Sequence, residues 1–403
     1  MEGRYCSRDE LPRGKKTVTS KWVFTIKYKS DGEIERYKAR LVARGFTQTY
    51  GEDYLDTFAP VAKLHTFRVV LSLATNLEWD LWQMDVKNAF LQGELEEEVY
   101  MKPPPGLEVI NAPNKVFKLK KAIYGLKQSP RAWYHKLSTT LMGRGFKTSE
   151  ADNTLFTLPS QKGIVVILVY VDDIIISGND KVGIQDTKTF LKSVFDIKDL
   201  GELKYFLGIE VCRSKEGLFL SQRKYTLDLL AQVGKLGVKP AKTPLEDDYK
   251  AKRKGEHDNK PFEDATRYRR LVGNLVTWRS KKQKVVSLSS AEAEYRAMRK
   301  LTTELMWLKA LLKDFGIDTP NPIPMHCDNQ AAIHIASNSV FHERTKHIEV
   351  DCHKVREQVQ LGVILPHYTE SEEQLVDVFT KGASTKVCEY IHNKLGVVDL
   401  TRP

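Results

Sequence analysis

The run IVVILVYVDDIIISG, Ile164 to Gly178, constrains this chain more than any other stretch. Apolar residues on both sides of Asp172 and Asp173 call for strands buried on both faces. Two adjacent carboxylates repel each other, and either is costly to bury without a partner. A hairpin reconciles these demands: strands over 164–170 and 174–177 lie in a core, and a tight turn puts both aspartates at its tip. Such a tip is a platform for a hard divalent cation, which prefers carboxylate oxygens. An ordinary surface turn, where aspartate is common for its own reasons, satisfies the same pattern.

Asp85 bears on the choice. It ends a second apolar strand pattern, Trp79, Leu81, Trp82, Met84 and Val86, within WDLWQMDVKNAF. Carboxylates converging from separate strands can hold two metal ions for an in-line phosphoryl displacement. A strand-end aspartate without that role is the plain alternative. The charge balance suits a polyanionic partner: 63 Lys and Arg against 52 Asp and Glu leave a net +11. That excess admits nucleic acid without requiring it.

With 403 residues, 41% hydrophobic and 29% charged, the chain is expected to form two or three globular domains. Its five cysteines are scattered and form no CxxC pair, which points to a reducing compartment. MEGRYCSRDELPRGKK lacks the apolar core of a secretory signal. The best apolar run is broken by the aspartate pair short of the about 18 residues that span a bilayer. The expected location is therefore intracellular, with no membrane association.

Along the chain, KWVFTIKY (21–28) and EIERYKARLV (33–42) flank Asp31-Gly32, a hairpin signal. Residues 79–93 read as a strand leading into a helix or tight turn. Residues 125–145 suit a helix that starts near Ser129-Pro130. LKYFLGIEVCRSKEGLFLSQ (203–222) is another strand–turn–strand pattern, and 239–270 is a polar linker. A second unit follows, with a long helix over 289–315, a strand over 323–328 and a helix over 330–337.

KWVFTIKYKSDGEIERYKARLVARGFTQ, TFAPVAKL, QMDVKNAFLQGELEEEVYM, KKAIYGLKQSPRAWY, YVDDIIISG, DLGELKYFLGIEV and FLSQRKYTLDLL occur in that order. As an ordered set they closely resemble the reverse transcriptase of copia-type LTR retrotransposons of plants, over about residues 15–272. The resemblance implies an α+β fold, a right-hand polymerase of fingers, palm and thumb. Fingers and palm would occupy 1–220, a thumb-like segment 221–250, and a linker or remnant connection 251–272. It implies an RNA-directed DNA polymerase taking an RNA template, a DNA or tRNA primer and dNTPs. Two Mg²⁺ ions would serve it, with Mn²⁺ as the alternative, in the cytoplasm, within virus-like particles, or in the nucleus. On this likeness Asp85, Asp172 and Asp173 are the catalytic, metal-binding triad. Phe90 matches the bulky residue that excludes a 2′-hydroxyl, the group separating ribo- from deoxyribonucleotides. Lys38 and Arg40 are similar to residues that clamp the triphosphate, Gln128-Ser129-Pro130 to a segment lining the nucleotide pocket, and Phe206-Leu207-Gly208 to a primer grip. Lys198 or Lys204 is a candidate to protonate the departing pyrophosphate. The alternative is a decayed, non-enzymatic product of such an element with residual nucleic-acid binding.

In the second unit, Ser289-Ser290-Ala291-Glu292 is a capping-box signature. At about 100° per residue, Met298, Leu301, Leu305, Leu308 and Leu312 fall within ~40° of Glu294, and Glu292 falls on the opposite, solvated face. A carboxylate on an apolar stripe needs a counter-charge or a metal. SSAEAEYRAM, HCDNQAAI, FHERTKHIEVDCHKVRE and QLVDVFTK resemble the ribonuclease H domain of the same elements, here over 273–403. On that match Glu294, Asp328 and Asp377 are metal-binding carboxylates. His342, His347, Cys352 and His353 fit no standard zinc spacing. YRRLVGNLVTWRSKKQ (268–283) departs from the family: the connection and the first strand, which carries the aspartate bridging both metals, are missing. The expectation is an RNase H-like α/β unit lacking its first strand and its activity; nothing in the spacing supports Asp264 or Asp314 as a substitute for the missing ligand.

Overall fold

The computed structural model describes residues 5–29, 31–107, 115–239, 287, 289–338, 349–379 and 382–396. The linker, the seam near Gly273, Asp264, His342 and His347, and the side chain of Cys352, lie outside the described residues. The chain is mixed α+β and divides into two compact units, Met1–Leu203 and Lys204–Pro403.

In the first unit, β1 (Cys6–Glu10) and β2 (Thr17–Val18) precede an antiparallel ribbon of β3 (Ser20–Tyr28) and β4 (Ile34–Ala43). Helix α1 (Leu64–Asn76) follows, then β5 (Asp80–Val86), a 3-10 turn at Ala89–Gln92, β6 (Glu94–Met101) and β7 (Lys115–Lys121). Helix α2 (Ser129–Gly143) has Pro130 in its first turn, where the missing N–H costs nothing. β8 (Lys147–Thr148), β9 (Leu155–Ser160), β10 (Gly163–Tyr170) and β11 (Asp173–Gly178) come next. Helix α3 (Lys181–Val194), capped by the Asp180 carboxylate on the Gly183 N–H, and β12 (Ile197–Glu202) close the unit.

One sheet runs β1-β7-β6-β2, and the other runs β12-β5-β11-β10-β9-β8 with every neighbour antiparallel. The register of the six-stranded sheet sorts its side chains. Met84, Val86, Phe156, Val165, Ile167, Val169, Ile174 and Ile176 share one face, and all are buried. They pack against Trp133, Leu137 and Leu141 of α2 and Ile184 and Leu191 of α3. The other face carries Gln83, Asp85, Asp173 and Ile175, and α1 lies against β11. β10 and β11 read as continuous apolar runs because they are inner strands of this sheet.

The second unit begins with β13 (Tyr205–Phe206), β14 (Ile209–Ser214) and β15 (Gly217–Ser221), an antiparallel sheet followed by α4 (Arg223–Gln232). Its later part holds α5 (Ser290–Asp314), β16 (Ile323–Cys327), α6 (Gln330–Ser337), α7 (Glu349–Gln360), β17 (Ile364–Tyr368) and α8 (Thr385–Lys394). β16 and β17 pair in parallel. Tyr295, Met298, Met325, Cys327, Val355 and Ile364 form the core between them and the helices.

The stripe expected on α5 is rotated. Ser289 caps the helix through the Glu292 N–H, but Glu292 is buried and paired with Arg296 at 2.7 Å, while Leu301 is 42% exposed. The expectation that Glu292 is a solvated charge is therefore corrected. An i,i+4 arginine on the same helix offsets the cost of burying the carboxylate.

Candidate active site

The tip of the β10–β11 hairpin is a two-residue turn, Val171-Asp172, closed by the pair Tyr170 and Asp173. Val171 has φ +56°, a conformation that a β-branched residue adopts only under constraint. Two hydrogen bonds supply the constraint. The Trp133 indole donates to the Val171 carbonyl at 2.7 Å, and the Val86 N–H donates to the Asp172 carbonyl at 2.8 Å. The turn is thus tied to α2 on one side and to the end of β5 on the other.

Asp173 is not at the tip but is the first residue of β11, directly opposite Asp85 on β5. Both are half-buried, and Asp172 beside them is exposed. Gln83, two residues before Asp85 and on the same face, donates to the Asp173 carboxylate at 3.1 Å. Burial pushes the Asp173 carboxyl above the ordinary carboxylate range, and the charges of Asp172 and Asp85 add to this against the Gln83 hydrogen bond. Lys198 on β12 is the cross-strand neighbour of Asp85 on its other side, and its side chain is exposed.

Past Asp85 the chain turns through Asn88, at φ +50°, into the short 3-10 turn that carries Phe90. The Phe90 ring meets Tyr124 edge-on with centroids 5.1 Å apart. The Arg40 guanidinium lies 5.9 Å from the centre of the Tyr124 ring. Lys38 and Arg40 share one face of the β3–β4 ribbon with Arg36 and Lys27. Burial lowers the Lys38 ammonium, and Arg40, Arg36 and Lys27 lower it further, while Asp85 opposes them. The ribbon thus carries a cationic face, and Lys38 on it is within electrostatic reach of Asp85. Its opposite face carries Phe24 and Tyr37, each 76% exposed.

Gln128 and Ser129 lie inside the protein. Gln48 donates to the Gln128 side-chain oxygen at 3.0 Å, the Gln128 amide donates to the Asp53 carbonyl at 3.0 Å, and the Ser129 hydroxyl donates to the Ile123 carbonyl at 2.6 Å. Both side chains are committed to holding the loop that carries Tyr124. Phe206, Leu207 and Gly208 belong to the second unit. Leu207 and Gly208, both with positive φ, make the two-residue turn between β13 and β14, and the Phe206 side chain is buried.

Asp85, Asp172 and Asp173 offer only oxygen donors, a set suited to Mg²⁺ or Mn²⁺. No hydrogen bond or ion pair to the Asp85 or Asp172 side chain occurs among the described residues, and the Asp173 carboxyl is raised first by burial, with the charges of Asp172 and Asp85 adding to it. These residues fit a cation site. Their oxygens are spread more widely than those of a second cluster, Glu294, Cys327 and Asp328, whose ligand atoms all lie within 4.8 Å of one another. A pair of metal ions ~3.5–4 Å apart spans a wider set than one ion does.

The second cluster gathers Glu294 and Asp328 but not Asp377. Ser371 donates to Asp328 at 2.9 Å. Burial pushes the Cys327 thiol up, the Asn329 N–H opposes this, and Glu294 and Asp328 add to it. A protonated thiol is no ligand for a hard cation. Asp314, a possible substitute ligand, is at the other end of α5, about 30 Å from Glu294 along the helix.

Four residues of these sites lie within the quoted motifs but take no role from them: Gln83, Tyr124, Trp133 and Cys327. Gln83 alone left a legible signal, as a polar residue two positions from Asp85 in an otherwise apolar strand. Trp133 and Tyr124 act through contacts across the sequence that no local pattern encodes.

Comparison with known proteins bears on both units. Residues 7–247 match the family described as reverse transcriptase (RNA-dependent DNA polymerase). The chain is 38% identical, over 94% of its length, to the retrovirus-related Pol polyproteins from transposons RE2 and RE1 of Arabidopsis thaliana, and covers 32% of each. It is 32% identical over 92% of its length to the Pol polyprotein from transposon TNT 1-94 of Nicotiana tabacum, covering 35% of it. The chain thus spans about a third of the curated relatives it matches. The span aligned with the RE2 protein is 467 residues, longer than this whole chain of 403, so that relative carries residues within it that have no counterpart here.

Proposed function

The chain belongs to the reverse transcriptase family of copia-type retrotransposon Pol polyproteins, and from that premise we propose that its first unit and β13–β15 are the fingers and palm of a working RNA-directed DNA polymerase. The observation that carries this reading is the meeting of Asp85, Asp172 and Asp173 at the end of β5 and the tip of one hairpin, with Lys38 of a cationic ribbon within electrostatic reach of Asp85.

In this reading the six-stranded sheet is the palm and the β3–β4 ribbon belongs to the fingers. Asp85 and Asp172 would hold two divalent cations, with Asp173 completing the set. Bound there, such cations stabilise the attacking and leaving oxygens of an in-line displacement at phosphorus. The protein's own residues do the rest. Lys38 and Arg40 hold the triphosphate, where fixed positive charge favours the charge that develops during transfer. Phe90 stands where a bulky side chain excludes a 2′-hydroxyl. Gln128 and Ser129 act indirectly, by fixing the Tyr124–Gly125 loop. The Leu207-Gly208 turn is the primer grip. RNA template, primer and dNTPs are the partners.

For residues 273–403 we infer an RNase H-like unit without activity. Glu294 and Asp328 come together, but Asp377 stands outside their group, and the thiol beside them is a poor donor for Mg²⁺. The span aligned with the RE2 relative is longer than this chain, which leaves room for a segment that is missing here.

Extension of a primer on an RNA template with dNTPs and Mg²⁺, beside an Asp172→Asn control, tests the first claim. Release of labelled fragments from an RNA–DNA hybrid, abolished by Asp328→Asn, would overturn the second.

A further inference from the structure

Phe90 sits in a single 3-10 turn, half-exposed, and its ring orientation depends on what it leans against. It packs in part against the core of the six-stranded sheet, and Tyr124 meets its ring edge-on at 5.1 Å with the planes inclined at 65°. Tyr124 is held from several sides. The Arg40 guanidinium lies over its ring, and its carbonyl accepts from the Ala43 N–H at 2.7 Å. The next residue, Gly125, has φ +92°, and a Cβ there would lie 2.1 Å from the Ala43 carbonyl oxygen. A Cβ on Gly45 would lie 2.1 Å from the Gly125 oxygen. Two glycines thus let the loop press against the end of β4, closer than any side chain allows. Gln48 adds a bond from the Lys127 N–H at 2.9 Å and another to Gln128. The loop is rigid where the Phe90 turn is slight.

We propose that Tyr124 is a positioning residue that holds the Phe90 ring against the sugar edge of the incoming nucleotide, and so sets the discrimination against ribonucleotides. The proposal rests on the reading above, in which the chain adds nucleotides and Phe90 lies beneath the sugar. It goes further by assigning selectivity to a residue of the loop between β7 and α2, one that contacts Phe90 rather than the 2′-hydroxyl. Without Tyr124 the Phe90 ring keeps its packing on the core but loses the edge contact that fixes its tilt, and space opens for the extra hydroxyl. A steric contact of this size discriminates by about tenfold or more.

The test uses the full chain on a primed RNA template, with kcat/KM measured separately for dCTP and CTP. Tyr124→Ala and Tyr124→Leu are expected to lower the dCTP-to-CTP ratio about tenfold or more, through a fall in the KM for CTP. Tyr124→Phe keeps the ring and is expected to keep the ratio. Phe90→Ala lowers the ratio by itself, and adding Tyr124→Ala to it lowers the ratio no further, because both act through one ring. A defect of folding alone reduces both substrates alike and leaves the ratio unmoved. If Tyr124→Leu and Tyr124→Ala keep the wild-type ratio while Phe90→Ala admits CTP, the inference is overturned and the polymerase reading stands. If the folded wild-type chain extends nothing, the polymerase reading fails and this inference with it.

Discussion

Asp85 and Asp173 face each other across β5 and β11, and Gln83 reaches diagonally from the same strand face to the Asp173 carboxylate at 3.1 Å. Burial and two neighbouring negative charges make the ionised form of Asp173 unfavourable in the absence of a cation. The sheet therefore holds a repulsion that a bound cation relieves.

Burial, with that repulsion added to it, has a sign in stability. The folded carboxyl of Asp173 titrates above its unfolded value, so the folded state binds the extra proton, and stability falls as pH rises through the interval between the two. In chelator, Asp173→Asn should raise the urea midpoint at neutral pH and lose that advantage at acidic pH. Asparagine still accepts the bond from Gln83. A lower midpoint for the variant at neutral pH would contradict the account.

Asp199 shows the opposite sign. Burial pushes its carboxyl up, but hydrogen bonds from Lys192 and Lys188 and the Gly201 N–H outweigh this and hold it at about 2. Lys188, almost fully buried, also lies 3.9 Å above the Trp82 ring. The stabilisation is complete above the ordinary carboxylate value of 3.8 and is lost as pH falls toward 2. It amounts to about 2 kcal/mol. Asp199→Asn should lower stability at pH 7 by about that much or more, since Lys188 is left buried, and flatten the acid limb of the stability profile.

The Trp133 indole fixes the carbonyl of Val171 at the catalytic tip. Trp133→Phe keeps the edge-on packing on Phe195 but removes this donor. The stability cost should be about 1–2 kcal/mol. Primer extension should fall by more than that cost implies, about 10- to 100-fold, because the turn carrying Asp172 moves. Unchanged extension by the folded variant would show that the turn holds itself.

Gly125→Ala should be among the most damaging single changes in the first unit, costing about 2–4 kcal/mol. The added methyl meets the Ala43 carbonyl, and φ +92° is unfavourable for alanine. Gly32→Ala, at φ +88° with nothing within 4 Å, should cost about 1 kcal/mol. Equal melting temperatures for the two variants would refute the close approach at Gly125.

The hairpin around Asp172 was legible because a strand buried on both faces leaves an uninterrupted apolar run, and the two aspartates could only mark its turn. The ordered motifs then supplied Asp85, which spacing alone left open between strand end and metal ligand. Gln128 and Ser129 read as pocket-lining; the Ser129 hydroxyl bonds the nearby Ile123 carbonyl, while Gln128 bonds Gln48 and Asp53, partners distant in sequence that no local pattern shows. The face of α5 was misread for a related reason: leucine periodicity placed Leu301 inside and Glu292 outside, and the Arg296 pair reversed the balance. Local pattern gives strands, turns and caps, whereas contacts between distant loops decide which side chains remain available for chemistry.

The central claim is that Asp85, Asp172 and Asp173 form a polymerase centre, and primer extension on an RNA template is its most direct measurement. The full chain, shown to be folded by circular dichroism, is given a primed RNA template, dNTPs and Mg²⁺, beside Asp85→Asn and Asp172→Asn. The account predicts template-dependent extension by the wild type and loss of about 10³-fold or more in either variant. Extension that survives both substitutions, or none from the folded wild type, would contradict it.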